Sequence, residues 1–363
     1  MYGTADIRVG LVGYGPAGAF FHAPLIAATP GLRLTAVVTR DPGRADAVRR
    51  DHPGTDVVAA AGDLWKRADL VVIASPNRTH VPLAQEALEA GLPVVVDKPL
   101  AGTVDEARSL IRLAAGRGLM LSVFQNRRWD GDFLTLRRLL PDLGRVHRFE
   151  SRFERWRPAP KGGWRESGGP DDLAGTLLDL GSHLVDQAVR LFGPVACVYA
   201  EADARRDGVR ADDDAFVALT HESGTRSHLW MSAVAGRLGP RFRVLGSRAS
   251  YVKWGLDPQE ERLRAGERPG PAAFAESPGA LATGWGAEPP ERWGALGVEG
   301  EHRAVPTEPG AYQRFYEGVV ACLVSGAEPP VTVESVIEPI AVLQAARRSA
   351  ATGEIVRLGP RHA

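Results

Sequence analysis

The sequence predicts an α/β protein in two parts: an N-terminal doubly wound parallel sheet, followed by an α+β part with an open, mainly antiparallel sheet. Three observations predict it. Short apolar runs alternate with helical stretches over the first 125 residues, the pattern of strand–helix–strand units. From about Arg145, strand-like segments follow one another without intervening helices, which implies antiparallel pairing. A chain of 363 residues also exceeds what one core ordinarily holds, so two domains are expected, at 1–125 and 126–363.

Within the first part, Ile7 to Val12 reads as a buried strand, and a helix follows from about Ala17, interrupted at Pro24. Leu34 to Val38 is the second strand, and Leu70 to Ala74 is a fully buried central one. A helix of about Val81 to Ala90 ends at Gly91, a residue free to take a left-handed cap. Pro93 to Val96, a helix over Val104 to Arg117, and Leu119 to Phe124 complete that sheet. In the second part, a helix of about Thr176 to Leu191 precedes strands at Val195 to Ala202, Ala215 to His221, Ser227 to Val234 and Arg241 to Leu245. Gly255 to Gly310 is rich in Gly, Pro and Glu and reads as a long excursion over the surface, ordered or disordered. Helices at about Ala311 to Ser325 and Val333 to Ala350 finish the chain, and no internal repeat is seen.

Composition excludes several function classes. Lys plus Arg and Asp plus Glu are 44 each, so there is no long-range field to gather nucleic acid or an anionic membrane. Cys197 and Cys322 are too few and too far apart for a four-cysteine zinc site or a disulfide framework, so no metal is expected, and both read as buried reduced thiols. No basic-then-apolar leader precedes Ile7, and no apolar run reaches membrane-spanning length. A soluble cytoplasmic protein is expected.

Gly13-Tyr14-Gly15-Pro16-Ala17-Gly18 is a G-x-G-x-x-G. With 41 glycines the match alone is weak, but it follows a buried strand and opens a helix. Gly13 suits the tight turn, Gly15 a close backbone approach to a pyrophosphate, and Gly18 helix–sheet packing. The helix N-terminus then faces the phosphates, and Pro16 fits its first turn. At the end of strand two, Thr39-Arg40 replaces the acidic residue that would hold a ribose hydroxyl. A guanidinium with a hydroxyl suits a 2′-phosphate, so NADP is favoured, while Asp41 one place later keeps NAD open. Ser75-Pro76-Asn77-Arg78-Thr79-His80 follows the central strand, at the sheet edge where such folds bind ligands. Asn77 or Thr79 equally suits capping the next helix.

Lys98, in Asp97-Lys98-Pro99, ends the next apolar run beside the expected cofactor. Asp179, His183 and Asp186 are spaced four and three apart, on one helix face opposite Leu177, Leu180, Leu184, Ala188 and Leu191. That face reads equally as solvated charge or as an imidazole oriented by a carboxylate, suited to take a hydroxyl proton as hydride leaves. Lys98 would bind the same oxygen. Arg127, Arg128, Trp129, Arg155, Trp156, Trp164 and Arg165 fall near the expected domain junction. They suit hydroxyl donation and sugar-face stacking, or ordinary packing.

The segments GLVGYGPAG, Phe21 to Ile26 (FHAPLI), ASPNRTH, VVVDKPL, FQNRRWD and LLDLGSHLVD together resemble the Gfo/Idh/MocA oxidoreductases, nearly end to end. FERWRP, GGWRE and WGLDPQEERLRAG are similar to a bacterial NADP-type inositol or sugar dehydrogenase branch. The resemblance implies a Rossmann domain beside a sheet that supports homo-dimers or homo-tetramers. It implies catalysis by Lys98, Asp179 and His183, with Asp97 in place of the more frequent Glu. It sets Asn77 and His80 beside the cofactor and Trp164 and Arg165 near the nicotinamide. The expected reaction is hydride transfer between a sugar or cyclitol carbinol and the cofactor, with Arg127 and Trp156 on the substrate. An acidic sugar also fits the arginines. Some relatives instead hydrolyse glycosides with tightly held NAD, and others are non-catalytic dinucleotide-sensing regulators that lack the lysine and histidine.

Overall fold

A computed structural model describes residues 6–274 and 284–359. Residues 1–5, read above for a leader, and 275–283, within the expected excursion, lie outside the described residues. The described residues of Met1–Trp129, Pro258–Gly286 and Ala311–Val336 pack as one unit, and those of Asp130–Asp257, Ala287–Gly310 and Ile337–Ala363 as another.

The first unit is built on six parallel strands: β1 (Ile7–Val12), β2 (Leu32–Val38), β3 (Asp56–Val58), β4 (Leu70–Ile73), β5 (Val94–Asp97) and β6 (Leu121–Phe124). Their order is β3-β2-β1-β4-β5-β6, so the direction of winding reverses between β1 and β4. β4, β5 and β6 are buried along their whole length, which is why they read as unbroken apolar runs without alternation. The helix Val104–Arg117 shows how local chemistry sets the boundaries. Thr103 and Glu106 form a reciprocal cap at its start, and Gly118 takes a left-handed conformation at its end.

Two local expectations fail here. Pro24 does not interrupt the first helix. A wide π-type turn, Gly18–His22, runs directly into the helix Ala23–Ala28, and the proline sits in that helix's first turn. The Ala23 N–H reaches back to the Gly18 carbonyl, so the five-residue turn absorbs the strain a proline would otherwise put on a four-residue one. Thr79, at the N-cap of the helix His80–Glu89, makes no side-chain capping hydrogen bond. The Thr79 hydroxyl turns back instead to the Pro76 carbonyl (2.7 Å) and the Ser75 hydroxyl (2.6 Å).

The second unit carries nine strands: β7 (Val146–Glu154), β8 (Val195–Asp203), β9 (Asp214–His221), β10 (Arg226–Ser232), β11 (Phe242–Gly246), β12 (Ser250–Lys253), β13 (Gly294–Val298), β14 (Glu301–Val305) and β15 (Val356–Arg357). The order is β14-β13-β12-β11-β7-β10-β9-β8-β15, antiparallel throughout except for the parallel β7–β10 pair. The core gathers Phe149, Phe153, Leu229, Met231 and Phe242 from the sheet with Leu184, Val185 and Leu343 from the helices Gly181–Phe192 and Ile337–Thr352.

Gly255 to Gly310 is not simply a surface excursion. Its first part, with the helix Gln259–Arg264, belongs to the first unit, and its last part supplies β13 and β14 of the second sheet. The helix expected over Thr176 to Leu191 is broken: Thr176–Asp179 ends, and Gly181–Phe192 starts again after Leu180. Cys197 and Cys322 are free thiols, half-buried where full burial was expected. Among the described residues, no helix is long and apolar enough to cross a membrane.

Candidate functional site

In the first unit the glycine turn follows β1, and the Ser75 loop follows β4, at the point where the winding reverses. Each glycine has a separate reason. Gly13 has φ +98°, and a Cβ there would come within 2.8 Å of the Ala74 carbonyl. A Cβ on Gly18 would come within 2.2 Å of the Gly13 carbonyl, so the turn and the first helix touch backbone to backbone. A Cβ on Gly15 would meet nothing within 4 Å. That open space beside main-chain amides is what a pyrophosphate requires, and the residues present fit a dinucleotide. Pro16 and Ala17 open the helix, while the Tyr14 ring is buried edge-on against His52 at 6.2 Å and contributes packing.

At the end of β2, Thr39 is half-buried and Arg40 exposed, its Nε donating to the Ala59 carbonyl at 3.2 Å. Asp41 caps the following helix by accepting from the Arg44 N–H at 2.8 Å. After β4, Asn77 is buried. His80 is completely buried, with Nδ1 at 2.8 Å from the Pro99 carbonyl and Nε2 at 3.0 Å from the Ser75 carbonyl. Burial lowers its pKa. Its ring lies between the Pro99 and Ser75 carbonyls.

Lys98 follows the last residue of β5 and is half-buried, and the Lys98–Pro99 peptide is cis. Asp97 beneath it is buried. Burial alone would raise its pKa, but its neighbours His22, Lys98 and His80 hold it below the ordinary carboxylate range. His22, wholly buried, stands 3.5 Å from Asp97 through Nε2 and 2.6 Å from the Tyr316 hydroxyl through Nδ1. Sequence reasoning quoted FHAPLI yet assigned His22 no part. The only signal was a histidine on the buried side of the first helical turn.

In the second unit Asp179 ends one short helix and His183 sits in the first turn of the next. His183, Asp186 and Gln187 are all buried, so this is no solvated charged face. Arg241, 1% exposed, supports it: its guanidinium donates to Gln187 Oε1 at 2.7 Å, Ser151 Oγ at 2.7 Å and Asp132 at 3.2 Å. Asp179 keeps 30% of its side chain exposed and pairs with Arg165 Nε at 3.5 Å. The Arg165 guanidinium lies over the Trp164 ring at 4.6 Å. Asp179, Arg165, Arg155 and Arg157 line one small cleft of about 100 Å³. Trp156 is largely exposed.

Arg127 and Arg128 are buried in the first unit. Arg127 pairs with Glu260 at 2.5 Å and Arg128 donates to Ser335 at 3.0 Å. Glu260 lies 133 residues downstream of Arg127, which is why spacing gave no hint of the pair. Lys98 belongs to one unit, and Asp179 and His183 to the other.

Residues 7–125 match the model of the oxidoreductase family's NAD-binding Rossmann fold, and 138–358 match that of its C-terminal alpha/beta domain. The chain belongs to the Gfo/Idh/MocA oxidoreductase family. It is 42% identical to an uncharacterized oxidoreductase, YdgJ, of Escherichia coli, over 95% of this chain and 96% of that one. It is 33% identical to the scyllo-inositol 2-dehydrogenase (NADP(+)) IolW of Bacillus subtilis, over 94% and 93%. Among solved structures, the putative oxidoreductase yvaA of Bacillus subtilis superposes with a TM-score of 0.89 at 31% identity, covering 99% of this chain and all of that one. As a family member the protein is an oxidoreductase with an NAD(P)-binding Rossmann domain.

Proposed function

We propose that the protein is an NAD(P)-dependent dehydrogenase/reductase that moves hydride between a secondary carbinol of a sugar or cyclitol and the nicotinamide ring. The observation that carries this reading is one sheet edge. It bears an open glycine cradle after β1 and a half-buried lysine after β5, on the side where such sheets bind their ligands. Residues 1–125 act as the cofactor domain and 126–363 as the substrate and oligomerisation domain. Gly13 to Gly18 hold the pyrophosphate, and Ser75, Pro76 and Asn77 form the adjoining wall. Arg40 and Thr39 meet the 2′-phosphate, which favours NADP, in keeping with the NADP(+) in the name of the relative IolW.

When bound, the nicotinamide supplies the hydride acceptor or donor. Lys98 holds the carbinol oxygen by a charged hydrogen bond and stabilises negative charge as it develops there. His183 takes the hydroxyl proton as hydride leaves and returns it in the reverse direction. Asp179 orients the imidazole. Trp164 and Arg165 border the nicotinamide, and Arg127 and Trp156 belong to the substrate side. We place the enzyme in the cytoplasm, as a homo-dimer or homo-tetramer joined through the second sheet.

The test is a panel of cyclitols, aldoses, ketoses and sugar acids, run in parallel with NADP and NAD and followed by cofactor absorbance. Oxidation of at least one polyol, faster with NADP, is expected. A cofactor-saturated protein inert to the whole panel overturns the reading, and sugar release from glycosides without net reduced cofactor replaces it with hydrolysis.

A further inference from the structure

We infer that the substrate carries a carboxylate, as a sugar acid does, and that Arg157 receives it. This assignment rests on the reading of Asp179 given above and names the substrate class which that reading leaves open. One cleft of the second unit carries it: its carboxylates are engaged, and one of its guanidinium groups is not.

The cleft of about 100 Å³ that holds Asp179 and Arg165 is bordered by a short extended segment after β7. The Arg157 N–H donates to the Ala233 carbonyl at 2.7 Å, and the Arg155 carbonyl accepts from the Ala235 N–H at 3.1 Å. Extended backbone returns to the same side every two residues, so Arg155 and Arg157 share a side, and both line the cleft. Arg206, its side chain 5% exposed, holds this segment in place by donating from Nη1 to the Arg157 carbonyl at 3.1 Å.

The charges of the lining sort into partners. Arg206 meets Asp213 at 2.8 Å through Nε and Glu166 at 3.0 Å through Nη2. Arg165 Nε lies 3.5 Å from Asp179. Asp212 accepts from the Leu177 N–H at 2.6 Å and from the Thr176 hydroxyl at 2.9 Å. The Arg157 guanidinium, half-buried, has no hydrogen bond or ion pair among the described residues. A half-buried guanidinium beside carboxylates that are spent elsewhere is a place for an incoming anion. Its planar fork matches a carboxylate through two parallel hydrogen bonds. Pockets that enclose a whole small molecule run to about 300 Å³ or more, so this cleft admits one substituent and leaves the ring outside. Asp179 lines the same cleft with Arg165 as its counter-ion, so a carboxylate seated on Arg157 meets no bare negative charge.

The test uses matched sets: uronic acids against their parent aldoses, aldonic acids against their alditols, and the 6-phosphates of the same aldoses. Each is run with NADP and with NAD, and kcat/KM is read from cofactor absorbance. The acid should exceed its neutral partner about tenfold or more, chiefly through a lower KM. In Arg157→Gln the ratio of acid to neutral kcat/KM should fall about 10- to 100-fold, again through KM. Arg157→Lys, which keeps the charge and loses the fork, should recover part of that ratio. Reduced-cofactor fluorescence shows that each variant is folded.

Equal kcat/KM for acids and neutral partners overturns the inference and leaves the dehydrogenase reading standing. A larger gain from the phosphate than from the carboxylate overturns it as well. An acid preference unchanged in Arg157→Gln removes Arg157 from the site. If that variant does not fold, the acid-to-neutral comparison in the parent protein decides. A protein inert to acids and neutral compounds alike overturns the dehydrogenase reading itself.

Discussion

The strand end that carries Lys98 and the helix break that carries Asp179 and His183 are both propped from below by buried polar groups, but with different chemistry. Under Lys98 the props are two imidazoles and a carboxylate, His22, His80 and Asp97. Under the Gly181–Phe192 helix the prop is a guanidinium, Arg241, spread over Asp132, Ser151 and Gln187. A guanidinium is charged at every pH a protein meets, whereas burial lowers the pKa of His80, which takes a proton only below its ordinary value. The first support is therefore sensitive to pH, and the second is fixed in charge and sensitive only to loss of a partner.

Arg241→Leu should be the most damaging change. It leaves Asp132, itself fully buried, without its cation and costs about 3–5 kcal/mol of stability. Urea denaturation of the variant checks this, and a loss below about 1 kcal/mol would mean that the helix does not depend on the fork.

His183→Ala comes next. It should lower turnover by roughly 10²-fold while cofactor affinity, read by reduced-cofactor fluorescence, stays within about twofold. An equal loss in both would show that the side chain supports the fold and takes no part in proton transfer.

Arg40→Ala tests the cofactor end of the first unit. Loss of one exposed charge-assisted contact should reduce the preference for NADP over NAD by about tenfold, seen as a ratio of kcat/KM values. An unchanged ratio would move recognition of the 2′-phosphate away from Arg40.

The two regions also differ in how far the sequence disclosed them. The glycine turn, β1, β2, β4, β5 and the lysine were legible because each is local: a motif, an apolar run, and a residue at its end. β3 escaped because three residues, Asp56 to Val58, carry too little pattern, and none is fully buried. β14 escaped for a related reason. Four of its five residues are exposed, as suits an edge strand, and its partner β13 begins and turns on glycines. β12 ends on Lys253, which is wholly buried and paired with Glu288 at 3.0 Å, so a residue that reads as surface belongs to the core. The parallel β7–β10 pair, His22 with Tyr316 and Arg127 with Glu260 all join segments far apart in the chain, and periodicity has no access to such pairs. The break at Leu180 was hidden because Asp179 and His183 keep helical spacing across it.

The smallest expected effect is the pH response of the Lys98 support, and its sign follows from the direction of one shift. His80 titrates below its ordinary value of 6.5 in the folded protein because burial disfavours the imidazolium. The unfolded chain therefore binds the proton at a higher pH than the folded one, and stability falls as pH drops below about 6.5. Asp97, held low, acts in the same direction at still lower pH: its contribution is present above the unfolded carboxylate pKa and is lost as pH falls through the folded value. Local hydrogen exchange separates the two supports. Between about pH 7 and pH 5.5, after correction for intrinsic exchange, amides around residues 94–100 should lose protection severalfold, while those of Gly181–Phe192 hold theirs. Equal loss in both segments would mean that the imidazoles and the guanidinium fork respond to acid as one unit, and the contrast between them would fall.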